Sequence, residues 1–255
     1  MTPDWTPLDI ELDRWRTEGL TLSLWWRDDD AVARTSALDY LHGLAQRLSM
    51  PVHMAVIPAE AEASLAEVID PFLIPVVHGW SHTNHAPDGA KKAEFGAHRT
   101  IEAMCAETAQ GLTRLRTLFG DALVPMFVPP WNRVAADLLP ILPTRGYEVL
   151  STFTPRDNAF AAPGLIQINT HLDPINWRAG KSLHDPDVLI RQVATQLVDR
   201  RENRADRDEP YGILTHHLVH DSSIWDFTEA LLSRLLQGPV QIWTAQPTET
   251  LNEPT

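Results

Sequence analysis

The chain alternates between two hydrophobic periods along almost its whole length, and that alternation constrains its fold more than any other feature. Apolar runs with strand character occupy 20–26, 52–57, 73–77, 123–128, 147–152, 165–170, 211–215 and 239–243. Between most of them lie segments 36–48, 61–69, 93–119, 135–145, 188–201 and 226–236, whose apolar residues recur three and four apart, as on one helix face. A strand, a helix and a further strand imply parallel pairing with a right-handed crossover, and about seven or eight such units close into a barrel. The expected fold class is α/β, an irregular parallel (β/α)7-8 barrel, with an open doubly wound sheet as the alternative. Segment 153–163 reads as a loop and 202–209 as a charge-dense connector. Neither marks a boundary, and no internal repeat appears, so residues 1–255 are expected to form one domain with a full core.

Parallel strands place all their carboxyl ends on one face, where residues distant in sequence converge. Five polar clusters follow strand-like runs in order: Asp28-Asp29-Asp30, His78 with His82, Pro129-Pro130-Trp131, Asp173 with Asn176-Trp177, and His216-His217. Together they suggest one metal hydrolase site. The spacing of His78 and His82 puts two imidazoles on one side of a helical turn, although 11 histidines would give about half of one such pair by chance. His85 adds a third imidazole nearby or a solvated loop residue. Three adjacent carboxylates repel one another unless a cation or hydrogen-bond donors stabilise them; a helix N-cap at Asp30 would account for one. His216 at a strand end suits proton transfer near neutral pH. Asp173 could orient an imidazole or merely fix an Asp-Pro turn, and Trp177 could wall a pocket or pack on the barrel rim.

The formal charge of -13 disfavours nucleic acid and anionic membrane as partners, and neutral or cationic substrates fit it better. Cys105 is the only cysteine, which excludes an intrachain disulfide. Residues 1–16 carry acids and tryptophans where a signal peptide would be basic and then apolar, and no 18-residue apolar stretch occurs. A cytoplasmic location is therefore expected.

Taken in order, the five clusters resemble the motifs of the polysaccharide deacetylase superfamily, also called carbohydrate esterase family 4: Asp-Asp, His-x3-His, Pro-aromatic, Asp-x2-Asp/Asn-Trp and Leu-x-His. The resemblance spans 26–217. It implies an irregular β/α barrel and a hydrolase acting on carbon-nitrogen bonds, which removes an acyl group, acetyl in the first instance, from an amide nitrogen with metal-activated water. It implies one divalent metal ion, zinc, held by Asp30, His78 and His82. Asp29 would be the catalytic base, although a frame shifted by one would give Asp28 and Asp29 as the pair. His216 would be the acid, tuned by Asp173. The Trp131 N–H would help hold the oxyanion, with Pro130 beside it, and Trp177 would wall the acyl pocket. Val128 stands where many members carry an arginine that contacts the base, leaving Arg27, Arg99 and Arg133 as candidates to replace it. Polymer deacetylases of the family are mostly exported, so an intracellular small molecule or oligosaccharide is the expected substrate, taken by a monomer or a homo-oligomer. Alternatives are a cyclic ureide or imide (allantoinase-like) hydrolase of the same fold and a catalytically silent glycan-binding relative.

Overall fold

A ten-residue strand, β1 (Leu22–Ala31), is the longest among the described residues. In the computed structural model, which describes residues 2–245, it follows α1 (Thr6–Thr17) and precedes α2 (Ser36–Leu48). Then come β2 (Val52–Val56), β3 (Leu73–His78), α3 (Ile101–Phe119), β4 (Met126–Val128) and β5 (Val149–Leu150). A hairpin of β6 (Phe160–Ala162) and β7 (Leu165–Gln167) is followed by a smaller one, β8 (Ile175–Asn176) and β9 (Ser182–Leu183). The chain continues through α4 (Pro186–Arg201), β10 (Tyr211–Thr215), α5 (Ser222–Leu236) and β11 (Val240–Ile242).

The parallel sheet runs β10, β1, β2, β3, β4, β5, β7. Beyond β7 the backbone keeps pairing: Ile168 N and Thr170 N donate to Leu150 O and Thr152 O at 2.9 and 3.1 Å. Leu172 then bridges Ile213 of β10 in parallel, with Leu214 N donating to Leu172 O at 2.8 Å. That bridge joins the two ends of the sheet and closes a ring of seven strands. Strand β11 stands outside the ring and, among the described residues, pairs only with Leu22–Leu24 at the start of β1.

Side chains alternate between the two faces of each strand. Trp25, Ala55, Val76, Met126, Val128, Val149 and Ile168, drawn from successive strands, form one cluster and fill the barrel interior. Neighbouring positions such as Trp26, Met54, Val77 and Phe127 join Leu41, Leu115 and Leu231 in the layer between barrel and helices. At the amino end of the barrel the His53 ring stacks on Trp243, with centroids 5.5 Å apart, and meets the Trp25 edge at 5.3 Å. Gly212 lets β10 pass this stack: a Cβ there would overlap the Trp25 indole nitrogen and lie 2.8 Å from Asn169 O. No helix among the described residues is long and apolar enough to cross a membrane.

Helical periodicity overreached in three places. The helix expected over 93–119 begins only after Thr100, whose hydroxyl accepts from Ala103 N; upstream, Phe95 bridges Val134 instead. Segment 135–145 contains Pro140 and Pro143 and forms only 3-10 turns, since proline removes a donor the helix needs. Segment 61–69 is likewise 3-10. Conversely, α1 was not among the expected helices: its Leu8, Leu12 and Trp15 form a buried helical stripe that docks on α4 through Trp15 Nε1 to Leu197 O at 3.3 Å and Arg201 Nε to Glu11 Oε1 at 2.7 Å.

His53 gives the fold a predictable acid sensitivity. Ala245 N donates to its Nε2 at 3.0 Å, so Nδ1 carries the proton and donates to Trp26 O at 3.1 Å. Burial pushes its pKa down to about 4. Because the unfolded chain takes up a proton near pH 6.5 that the folded one refuses until about 4, stability present above that window is lost as pH falls, by on the order of 3 kcal/mol. His53→Gln keeps both hydrogen bonds without titrating. Urea unfolding at about pH 7 and pH 4.5 should show the variant losing clearly less stability than the parent; equal losses would exclude His53 as the cause.

Candidate active site

Residues two apart on a strand share a face, so Arg27 and Asp29 of β1 both point into the barrel behind Trp25. The fully buried Arg27 grips Asp29 with two atoms, Nε 2.9 Å from Oδ1 and Nη2 3.1 Å from Oδ2. It also donates to Ser151 Oγ at 2.7 Å, Thr152 O at 3.1 Å and Asn132 Oδ1 at 2.8 Å. Of the three arginines that could replace the one absent at position 128, Arg27 is the one that contacts Asp29. Arg99 is committed to Glu107, with both contacts at 2.6 Å, and Arg133 donates to Lys92 O.

Asp28 faces the other way. It accepts from Thr215 Oγ1 at 2.6 Å and His217 N at 3.0 Å, and it pairs with the His217 ring. Burial would push His217 down and Asp28 up, yet their mutual attraction leaves His217 raised and Asp28 lowered. The pairing register shifts between Asp28 and Ala31, and Asp30 takes a left-handed φ of 75°, which brings its carboxylate beside the histidines of the next loop. The frame that places an acid with the histidines is therefore Asp29-Asp30.

His78 ends β3, and the backbone turns at Gly79, where φ is +58° and a Cβ would meet Pro130 Cδ at 2.5 Å. The buried Glu94 carboxylate fixes the turn, accepting from Trp80 N at 3.1 Å, Ser81 N at 2.7 Å and Ser81 Oγ at 3.0 Å. Asp30 Oδ1 lies 3.2 Å from His78 Nε2 and 3.3 Å from His82 Nε2. Ligands about 2.0–2.1 Å from a tetrahedral zinc stand roughly 3.3 Å apart, so this donor set fits such an ion. His78 Nδ1 donates to Val128 O at 2.9 Å, leaving the Nε2 lone pair facing the group. Burial, then His78, holds His82 below the usual imidazole range, which keeps it neutral as a ligand must be. Burial would raise Asp30, but the His78 hydrogen bond and the nearby imidazoles hold it well below the usual carboxylate range. His85 is exposed and is not part of the group.

Trp131, with φ 56°, stacks obliquely on His82 at 4.3 Å between centroids. Across the cleft, Trp177 meets His216 edge to face at 4.8 Å and donates from Nε1 to Asp173 Oδ2 at 2.7 Å. Asp29, Asp30, His78, His82, Trp131, Asp173, Trp177 and His216 all line one cleft of about 1110 Å³. Pro130 does not line it: the ring is buried against Gly79, so its part is to shape the turn rather than to touch a substrate. Burial raises the Asp173 carboxyl against the pull of His216. Asp173 gives its oxygens to Trp177 Nε1 and Ile175 N, while the buried His216 Nδ1 has no hydrogen-bond partner among the described residues, so no hydrogen bond joins Asp173 to that nitrogen. Asn176 closes its own turn by accepting from Ala179 N.

Sequence reasoning missed Glu94, Asn132 and Ser151, none of which belongs to a cluster. The Asp28–His217 pair was readable from strand parity, since 27 and 29 point inward and 28 outward.

A deacetylase solved with its substrate superposes with a TM-score of 0.52 at 17% identity, over 88% of this chain and 89% of its own. The family 4 carbohydrate esterase from Streptomyces lividans, solved with acetate, gives 0.52 at 14% identity over 88% and 93%. The chain has the polysaccharide-deacetylase fold. A mutant of a family 4 pseudoenzyme with restored activity also shares this fold, with a TM-score of 0.52 at 12% identity over 87% of this chain and 65% of its own. No protein-family model matches the sequence, and no curated protein sequence does.

Because the Glu94 carboxylate takes both backbone N–H groups at the centre of the turn between the two histidines, Glu94→Ala should weaken divalent metal binding by about 10- to 100-fold, the usual cost of losing an outer-shell support. Competition against a chromophoric chelator measures it, with far-ultraviolet circular dichroism checking the fold. Unchanged affinity in a folded variant would show that the turn holds itself.

Proposed function

We propose that the protein is a metal-dependent hydrolase that removes an acyl group, acetyl in the first instance, from an amide nitrogen of a sugar or small molecule. The observation that supports this most is the convergence of Asp30, His78 and His82 beside an Arg27-held Asp29, with His216 on the opposite side of the same cleft. Asp30, His78 and His82 would hold one divalent ion, zinc by donor type. When bound, such an ion acts as a Lewis acid and lowers the pKa of a coordinated water to about 7.

The protein's own groups divide the remaining work. Asp29, whose orientation Arg27 fixes, accepts a proton from the attacking water. His216 delivers one to the departing amine nitrogen, with its ring held against Trp177 and in the field of Asp173. The Trp131 backbone N–H is the candidate oxyanion donor, presented by a turn whose left-handed residues set its direction before substrate arrives. Trp131 and Trp177 wall the cleft on either side of the reacting groups and limit water there.

A silent relative is the second reading, because the same fold occurs in a family 4 pseudoenzyme. The complete set Asp29, Asp30, His78, His82 and His216 favours catalysis.

Metal analysis followed by kinetics separates the two. The wild type should bind one divalent ion, and Asp30→Ala, His78→Ala and His82→Ala should each lose it. His216→Ala should keep the ion and the fold while turnover falls by about 10²- to 10⁴-fold; Asp29→Asn should lose turnover to a similar degree and, because it strips the buried Arg27 of its anion, should also unfold at lower urea than the wild type. Full metal retention in all three ligand variants would remove the site. Inactivity of the metal-loaded wild type on N-acetylated sugars, amides, esters and imides alike would support the silent reading.

A further inference from the structure

Net charge and local charge disagree in this protein. The chain carries -13, yet its cleft sorts charge by depth. The acids that line it are Asp29, Asp30 and Asp173, and each is already met: Asp29 by Arg27, Asp30 by two imidazoles, Asp173 by the Trp177 N–H and Ile175 N. The formal cations that line it are Lys92, Arg133 and Lys181, and none of them forms an ion pair among the described residues.

Their placement is ordered. Lys92 Nζ lies 5.9 Å from the centre of the Trp131 ring, and that ring rests 4.3 Å from His82. On the opposite wall Lys181 Nζ lies 5.9 Å from the Trp177 ring, which is 4.8 Å from His216. Each ammonium is thus one indole away from an imidazole of the reacting centre. Arg133 is attached beside Lys92, donating to its carbonyl at 2.7 Å, with the rest of its guanidinium fork free to bind an oxyanion.

We infer that the substrate's non-reacting part carries an anionic group, a carboxylate or a phosphate, which Lys92, Arg133 and Lys181 receive at the mouth of the cleft. This rests on the hydrolase reading above and names its substrate class. It reverses the expectation drawn from net charge. Distant surface acids are screened over about 8 Å at physiological salt, whereas unpaired cations on low-dielectric indole walls focus their field into the cleft. An anion already inside meets the cations first.

The test compares matched acetamides on the zinc-loaded protein: N-acetylglucosamine, a phosphorylated N-acetylglucosamine, and N-acetylmuramic acid, which adds a carboxylate. At least one anionic member should exceed the neutral sugar in kcat/KM by about tenfold at low salt, chiefly through KM, with the gap closing as ionic strength rises. Which anion benefits distinguishes phosphate from carboxylate. In a Lys92→Gln, Lys181→Gln double variant the anionic-to-neutral ratio should fall toward one. Equal turnover of neutral and anionic sugars overturns the inference, as does a double variant that lowers both in parallel. If none of the three sugars is hydrolysed, the wider panel of amides, esters and imides decides the hydrolase reading, and calorimetric titration of the same three sugars still decides this point. Tighter, salt-sensitive binding of an anionic sugar supports it; equal binding, or none, overturns it.

Discussion

A guanidinium sealed inside the barrel governs much of the rest of this structure. Arg27 cannot shed its charge, so the interior must supply acceptors, and it does so from three separate segments: Asp29 on β1, Asn132 after β4, and Ser151 with Thr152 after β5. Breaking a buried pair by removing one partner leaves an uncompensated charge, at a cost of about 3–5 kcal/mol. Barrel integrity and the orientation of Asp29 therefore rest on the same contacts. A side chain elsewhere could orient Asp29, but only one on β1 itself does so while filling the interior position directly beneath it.

The ring closes through a second buried polar group. Asn169 N donates to Glu209 Oε1 at 3.0 Å, His171 Nε2 lies 3.1 Å from Glu209 Oε2, and Gly212 N donates to His171 Nδ1 at 2.9 Å. Burial depresses His171 despite Glu209, so the imidazole is neutral, accepting at Nδ1 and donating at Nε2. Arg200 completes the group from α4, paired with Glu209 at 3.3 Å. These contacts sit where the extension of β7 meets β10, and β10 leads directly to His216. The closing seam thus sets where His216, the candidate acid, stands.

Strand positions were legible because the barrel buries apolar runs on both sides, and all eight runs contain a strand. Their ends were not, because polar residues extend the pairing where a site needs them: β1 continues through Asp28, Asp29 and Asp30. The catalytic candidates were legible as strand-end clusters, since topology makes strand ends converge. Arg27 appeared only as one of three options because its partner is decided by which face it occupies, a property that needs the strand's exact register. Glu94 carries no pattern at all; its role arises from a loop that folds back on the histidine turn. The distribution of charge in the cleft was not legible for a related reason, in that a sum over the chain does not say which charges share a surface.

Backbone conformation bears on how ready the site is. Asp30, His82, Trp131 and Asn132 all have positive φ, between 54° and 75°, and they come from the ends of three different strands. Such conformations in non-glycine residues cost roughly 1–3 kcal/mol each and persist only where the surroundings over-determine them. Here the determinants are identifiable: the register shift in β1 for Asp30, Glu94 and the Gly79–Pro130 contact for the turn leading to His82, and the Arg27 hydrogen bond for Asn132 beside Trp131. The strain is held by contacts within the protein, so the donor atoms and the Trp131 turn are positioned before any ligand binds. Binding then need not reorganise them, which is the condition under which fixed dipoles and ligands stabilise developing charge most effectively.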